Sequence, residues 1–314
     1  MQRTTRIAAL LLTASLLLTA TAAVAQSDAT DRAIDKECHR IGHKLGSVSV
    51  RQCLRAQFRD SGGRSVTGQP ILEKIIASRS QPARGRILLI GGTHGDEYSA
   101  VSIVFRWLKM FHRYHADQFE WHVVPLLNPD GLLLHRPSVR MNEHGVDLNR
   151  NMPTPDWQQR TRAYWKRHHF DPRRYPGTAP LSEPETRWLY NEMRTFKPHA
   201  IVSIHAPYGV LDFDGPPRGP RHVGRLHLHL IGTYPGSLGN SAGVQHQIPV
   251  ITVELPYAGI MPSHRETRRM WRDLNRWLDT HVPKPETLEA HARFDAITEQ
   301  LMPHPPIKTI GITP

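Results

Sequence analysis

The chain has 314 residues, with 39% hydrophobic and 22% charged residues and a formal net charge of +12. That mixture is globular: it excludes a wholly disordered or collagen-like chain, and no internal period points to a solenoid. With that length, one or two domains are expected.

Arg3 and Arg6 precede an apolar run from Ile7 to Val24, and Ala23, Val24 and Ala25 supply small residues before Gln26. This is the pattern of a cleaved secretory signal peptide over 1–25. The run is short and Thr-rich for a membrane anchor, and no later stretch is apolar enough to span a bilayer once the leader is removed. Export across the inner membrane, to the periplasm, is the expected localisation. The two cysteines, Cys38 and Cys53, lie after the leader. An even pair in an oxidising compartment is expected to form a disulfide, stapling two short helices within an N-terminal segment over 26–64. Ser61-Gly62-Gly63 reads as a linker.

From there a catalytic domain over 65–282 is expected, followed by a terminal helix and tail over 283–314. A strand or hairpin is expected near 71–77. Arg86-Ile87-Leu88-Leu89-Ile90 reads as a strand buried on both faces. Val101, Val104, Phe105, Leu108 and Phe111 follow at helical spacing. Further strands are expected over 121–127, 200–204 and 250–254. The stretch 153–180 is rich in Pro and Arg without a clear period and reads as a loop over a site. Ser182-Glu183-Pro184-Glu185 and the segment from Ser263 to Glu266 read as capping boxes opening helices. Met270, Trp271, Leu274, Trp277 and Leu278 mark one face of the second helix. Alternating strands and helices predict an α/β layered fold with a mainly parallel sheet.

Chemistry-bearing residues gather where strands end, which is where sites form in open α/β sheets. Gly91-Gly92-Thr93-His94-Gly95-Asp96-Glu97 follows the first buried strand, and His94 and Glu97 are close enough to meet one ion. Alone, this His-x-x-Glu pair is weak, because the chain has 20 His. His205 and Glu254 end two later strands, and Asn128-Pro129-Asp130-Gly131 is a turn after a third. Glu254 has the placement of a general base, the alternative being a salt-bridged rim carboxylate. In the segment 140–151, Arg140 and Arg150 lack an obvious local acid and could bind a carboxylate or an oxyanion. A solvated loop is the plain alternative.

The ordered strings THGDE, NPDG, RMNEHGVDLNRN, SEPET, SIHAP and TVELP resemble the zinc carboxypeptidases of the pancreatic type, over about 90–256. GVDLNRN, LDFDGP and PGSLG are most similar to the bacterial murein peptide amidase branch, which cleaves the γ-D-glutamyl–diaminopimelate bond. The resemblance implies a three-layer α/β/α sandwich around a mixed, mostly parallel eight-stranded sheet. It implies one Zn2+ per chain held by His94, Glu97 and His205, with Glu254 as general base and acid. It implies that Arg140 polarises the scissile carbonyl, that Asn149 and Arg150 grip the substrate carboxylate, and that Asp147 orients His94. The implied substrate is a short carboxylate-bearing peptide, from the cell wall. The family's mobile-loop Tyr has a counterpart in the region of Tyr234, without an alignable position.

The competing readings are a carboxypeptidase acting on ordinary peptides, an aspartoacylase-like deacylase and a non-catalytic cell-wall binding module. The presence of Glu254 together with the three ligand residues His94, Glu97 and His205 argues against the last. His227 and His229 lack a paired acid and read as ordinary loop or strand positions. The basic stretch with Lys166, Arg167, Arg173 and Arg174 carries no nucleic-acid recognition motif. A solvated face or a rim attracting anionic peptides remains. There is no Gly-x-Ser-x-Gly elbow, His-Glu-x-x-His helix or phosphate loop.

Overall fold

The computed structural model describes residues 30–282. The expected leader over 1–25 and the helix expected after residue 283 lie outside the described residues. In chain order, helix α1 runs to residue 44, followed by α2 (Val50–Arg55), β1 (Arg59–Arg64), β2 (Pro70–Ile76), β3 (Arg86–Ile90), α3 (Tyr98–Trp107), β4 (Glu120–Val124) and α4 (Pro129–Leu133). Then come α5 (Trp157–Arg167), α6 (Pro184–Phe196), β5 (Ala200–His205), β6 (Leu211–Asp214), β7 (His222–Val223), β8 (Leu226–His227), β9 (Val250–Glu254) and α7 (His264–His281). Among the described residues, no helix is long and apolar enough to cross a membrane.

Seven strands form one sheet in the order β1-β2-β4-β3-β5-β9-β6. The four central strands are parallel, and β1, β2 and β6 pair antiparallel at the two sides. The layered α/β architecture is therefore as expected, with seven strands in place of eight and parallel pairing confined to the centre. Chain beyond β6 touches the free edge through a single parallel bridge, Leu211 to Leu228. The backbone groups of β7 and β8 are committed to their own small antiparallel pair, which leaves no ladder for an eighth strand.

The pleat of β3 explains why its apolar run is continuous. Ile87 and Leu89 point into a core beneath α3 and α7, built around Trp107, Trp121, Trp271 and Phe111. Leu88 and Ile90 point to the opposite face, against Leu189, Tyr190 and Met193 of α6. Alternate residues of one strand thus serve two cores. Three of the buried indoles have their N–H groups satisfied: Trp107 donates to Thr267 O at 3.1 Å, Trp121 to Ala116 O at 2.8 Å and Trp271 to Met110 O at 3.1 Å.

The N-terminal segment shares this body. Cys38 and Cys53 form a disulfide, Cα atoms 5.3 Å apart, and pack with Ile41 and Leu45 on Val101 and Phe105 of α3. The domain boundary expected at 64/65 separates two paired strands, because β1 is an edge of the main sheet. Ser61-Gly62-Gly63, expected as a linker, lies within β1. A Cβ on Gly63 would fall 2.5 Å from Cδ1 of Trp188, so this glycine permits a close approach to α6. Replacing both cysteines by Ser is expected to destabilise the protein. The cross-link spans 15 positions, for which chain entropy gives about 3 kcal/mol. Urea unfolding of the variant against the oxidised protein measures this.

Three local expectations are corrected. The segment expected as a loop over 153–180 contains α5; only Trp157, Thr161 and Tyr164 of that helix are buried, a stripe too narrow and too polar to show as a period. Asn128, expected in a turn, caps α4 by accepting from Gly131 N at 2.9 Å. The expected capping box at α6 is absent: the Ser182 hydroxyl donates to Glu183 Oε1 at 2.7 Å, and the Glu185 carboxylate accepts from Val66 N at 3.2 Å and from Asn142 at 3.1 Å. At α7, Ser263 accepts from Glu266 N at 3.1 Å, while the Glu266 carboxylate accepts from Arg225 N at 2.6 Å.

Candidate metal and catalytic site

The C-terminal ends of the parallel strands set the site. β3 leads through Gly91 and Gly92 to His94, and Glu97 stands at the N-cap of α3. His205 ends β5, Glu254 ends β9, and the two are cross-strand partners. The loop can bring His94 inward because Gly95 lies against α4: a Cβ there would fall 2.1 Å from the backbone carbon of Gly131.

His94 Nδ1 lies 2.7 Å from Glu97 Oε1 and 3.2 Å from His205 Nδ1, and His205 Nδ1 lies 3.1 Å from Glu97 Oε2. All three side chains are buried, and one donor atom from each lies within 4.8 Å of the others. The outer ring nitrogens are held. His94 Nε2 faces Asp147 Oδ1 at 3.0 Å, and His205 Nε2 faces Ser203 Oγ at 3.0 Å. Asp147 can only accept, so it fixes the proton of a neutral His94 on Nε2 and turns the Nδ1 lone pair inward. Two imidazole nitrogens and a carboxylate then converge on one point. This donor set fits zinc, and three protein ligands are the number that leaves a coordination position open for chemistry.

The charges reinforce the arrangement. Burial opposes ionisation of Glu97, but His94 and His205 outweigh it and hold the carboxyl well below its usual range. Burial likewise opposes ionisation of Asp147, and Arg140 and His94 overcome it. Arg140, which the sequence leaves without an obvious local acid, has two partners. It donates to Asp147 Oδ2 from Nε at 3.2 Å and from Nη2 at 3.1 Å, and to Glu97 Oε1 from Nη1 at 3.3 Å. A guanidinium has five N–H donors, so donors remain for a substrate oxygen.

Glu254 is 7% exposed, and its buried Oε2 has no hydrogen-bond partner. Burial pushes its carboxyl above the ordinary value. It lines, with the three inward-facing groups, Arg140 and Arg150, a cavity of about 270 Å³. Asn149 commits its side-chain oxygen to Leu238 N at 2.9 Å. Arg150 is 5% exposed, lies 5.1 and 4.7 Å from the rings of Tyr164 and Tyr234, which pack against each other on one side of it, and leaves its buried Nε without a partner. No carboxylate forms an ion pair with Arg150 among the described residues. Tyr234, unassigned in the sequence, is thus a wall for this guanidinium, and its hydroxyl donates to Ile231 O at 3.1 Å.

Other groups at the cavity were not singled out beforehand. Arg173 of the basic stretch pairs with Asp96 at 2.7 Å, joining that stretch to the mouth. Asp212 and Asp214 also line the cavity. Their alternation in LDFD places them on one face of β6, which is the signal that could have found them. Burial and the neighbouring Asp212 push the Asp214 carboxyl up to about 7. The native state therefore binds this proton more tightly than the unfolded chain does, and stability falls as pH rises through that value. Asp214→Asn is expected to raise the unfolding free energy relative to the parent protein at pH 8. The difference should vanish on acidification below the unfolded carboxylate range, as denaturant unfolding at several pH values would show. His227 and His229 take part in no three-residue metal-ligand group among the described residues.

Comparison with known proteins agrees with this geometry. Zinc carboxypeptidases as a family match residues 56–212. Murein peptide amidase A of Escherichia coli strain K12 is 35% identical over 166 residues, covering 51% of this chain and 61% of its own length. The chain thus spans about three fifths of that relative. Murein peptide amidase A of Vibrio campbellii is 31% identical over 204 residues, covering 62% of this chain and 78% of its own. The crystal structure of murein-tripeptide amidase MpaA from Escherichia coli O157 superposes with a TM-score of 0.50 at 30% identity, covering 70% of this chain and 92% of that one. Carboxypeptidase A from Helicoverpa armigera, at 14% identity, shares the fold with a TM-score of 0.54 over 78% of this chain and 69% of its own. With two imidazoles and a carboxylate converging at the strand ends of such a fold, this chain belongs to the zinc carboxypeptidase family.

Proposed function

We propose that the protein is an exported zinc-dependent peptide hydrolase that cleaves an amide bond in a short, carboxylate-bearing peptide derived from the cell wall. The observation that carries this reading is Glu254: a buried carboxylate with a free oxygen, beside the convergent donors of His94, Glu97 and His205. Zinc held by these three residues would polarise the scissile carbonyl and lower the pKa of water.

The protein's own groups supply the rest. Glu254 is placed to take the proton of the attacking water and return it to the leaving amine. Arg140 keeps its charge, because Asp147 and Glu97 together outweigh its burial. Its spare donors can meet the oxygen on which negative charge develops. Arg150, desolvated and without an acid partner, suits a substrate carboxylate, with the amide nitrogen of Asn149 beside it. Its guanidinium packs against the adjacent rings of Tyr164 and Tyr234 and donates to Asn149 O at 2.6 Å, contacts that orient it toward the cavity.

The murein amidase relatives support a cell-wall peptide as substrate. The Arg-flanked apolar leader and the Cys38–Cys53 disulfide support a periplasmic location. Incubating the metal-loaded protein with a murein tripeptide, a tetrapeptide and a blocked ordinary dipeptide, with products identified by mass, tests the reading. Release of the diaminopimelate-containing fragment from the tripeptide is expected. Trimming of the C-terminal residue from ordinary peptides alone would favour a plain carboxypeptidase, and no cleavage of any of the three would remove the proposal.

A further inference from the structure

We propose that Glu73, His122 and Glu192 form a second divalent-metal site, of the kind that takes Zn2+, which clips α6 to the β2–β4 side of the sheet. His122 lies in the middle of β4, Glu73 on the adjacent β2 and Glu192 on α6, away from the strand ends that carry the catalytic cavity. One donor atom from each lies within 4.8 Å of the others. These are an imidazole and two carboxylates, the ligand types of a mixed N/O site.

Two further observations distinguish this cluster from an ordinary ion pair. Glu73 is 3% exposed, and its buried Oε2 has no hydrogen-bond partner although it lies 3.9 Å from His122 Nδ1. The single proton that Nδ1 can carry is directed at Glu192 Oε1, so it cannot also satisfy Glu73. The other oxygen of Glu73 is fixed by Arg59, whose Nε donates to it at 3.0 Å. That contact holds the carboxylate with Oε2 facing the ring. His122 is fixed as well: its ring stacks on Phe196 of α6 with centroids 3.6 Å apart and planes 14° apart. A divalent cation accepts one lone pair from each of the three groups and removes the orphaned buried oxygen. Metal bonds of about 2.0–2.2 Å require the donors to close inward. Glu192, on the more open side of the cluster, can make that movement. Both Glu73 and Glu192 would then be neutralised at one point, joining a helix to two strands.

The test is zinc stoichiometry on the untagged protein, stripped with chelator and titrated with Zn2+ in a calorimeter, with bound metal counted by elemental analysis after gel filtration. Two zinc ions per chain are expected for the parent protein, one for Glu192→Gln, one for His205→Ala and none for the double variant. Glu192→Gln is also expected to keep peptide hydrolysis and to lose the second of two zinc-dependent rises in Tm. His122→Gln serves as an independent variant should Glu192→Gln fail to fold, with circular dichroism as the check. If neither variant lowers the zinc count, the second site is refuted. If the parent binds one ion and Glu192→Gln binds none, the second site stands and it is the catalytic metal assignment that falls.

Discussion

Glu254→Gln is expected to leave zinc binding intact while turnover falls by about 10²–10⁴-fold, the usual contribution of a positioned general base and acid. The glutamine has the same shape and fits the same end of β9. It cannot take a proton from water or return one to an amine. The proposed zinc ligands are untouched, because the hydrogen bonds that His94, Glu97 and His205 make among the described residues do not involve the Glu254 side chain. Metal content and kcat measured on the same preparation separate loss of the base from loss of the metal. Near-normal turnover would assign proton transfer to another group. A drop in zinc equal to the drop in activity would make Glu254 a ligand-shell residue. KM should change far less than kcat, since the substrate carboxylate is proposed to meet Arg150 rather than Glu254.

Much of this site was readable because of where the strands stop. Apolar runs at Ile87-Leu88-Leu89-Ile90 and over 200–204 and 250–254 have to be buried on both faces, and a polar residue directly after each must lie at one end of a parallel sheet. His205 and Glu254 follow from that rule, as does the His94–Glu97 pair in the loop after the first strand, and the ordered motifs single out the four together. The pairing of Arg140 was not readable. Its acid, Asp147, is seven positions away in irregular chain, and its second partner, Glu97, precedes it by 43. No helical or strand period connects such positions. α5 was missed for a related reason, since its buried stripe consists of Trp157, Thr161 and Tyr164 among charged residues. That the sheet has seven strands among the described residues, with β7 and β8 paired to each other instead, depends on backbone hydrogen bonding that side-chain pattern does not encode. The cluster at Glu73, His122 and Glu192 was invisible for the same kind of reason: three unremarkable polar residues, each on a different element, are joined only by the packing of α6 on β2 and β4.

Asp147→Asn is expected to weaken zinc binding by about 10–100-fold, the range for losing a carboxylate behind a ligand histidine, and to destabilise the fold. Asp147 is fully buried and serves two donors at once: Oδ1 faces His94 Nε2 at 3.0 Å, and Oδ2 accepts from Arg140 at 3.1 and 3.2 Å. An asparagine must present its NH2 either to the imidazole N–H or to the guanidinium, so a donor meets a donor whichever way the amide turns. Removing one partner of a buried ion pair costs about 3–5 kcal/mol. The low end applies here, because Glu97 still accepts from Arg140 at 3.3 Å. The two effects have separate origins and can be separated. In Arg140→Met/Asp147→Asn the orphaned guanidinium is gone, so part of the stability should return in urea unfolding. The histidine still lacks its carboxylate, so zinc affinity by calorimetry should stay low. If affinity recovered together with stability, Asp147 would act on the metal only through general folding, and its proposed role in orienting His94 would be lost.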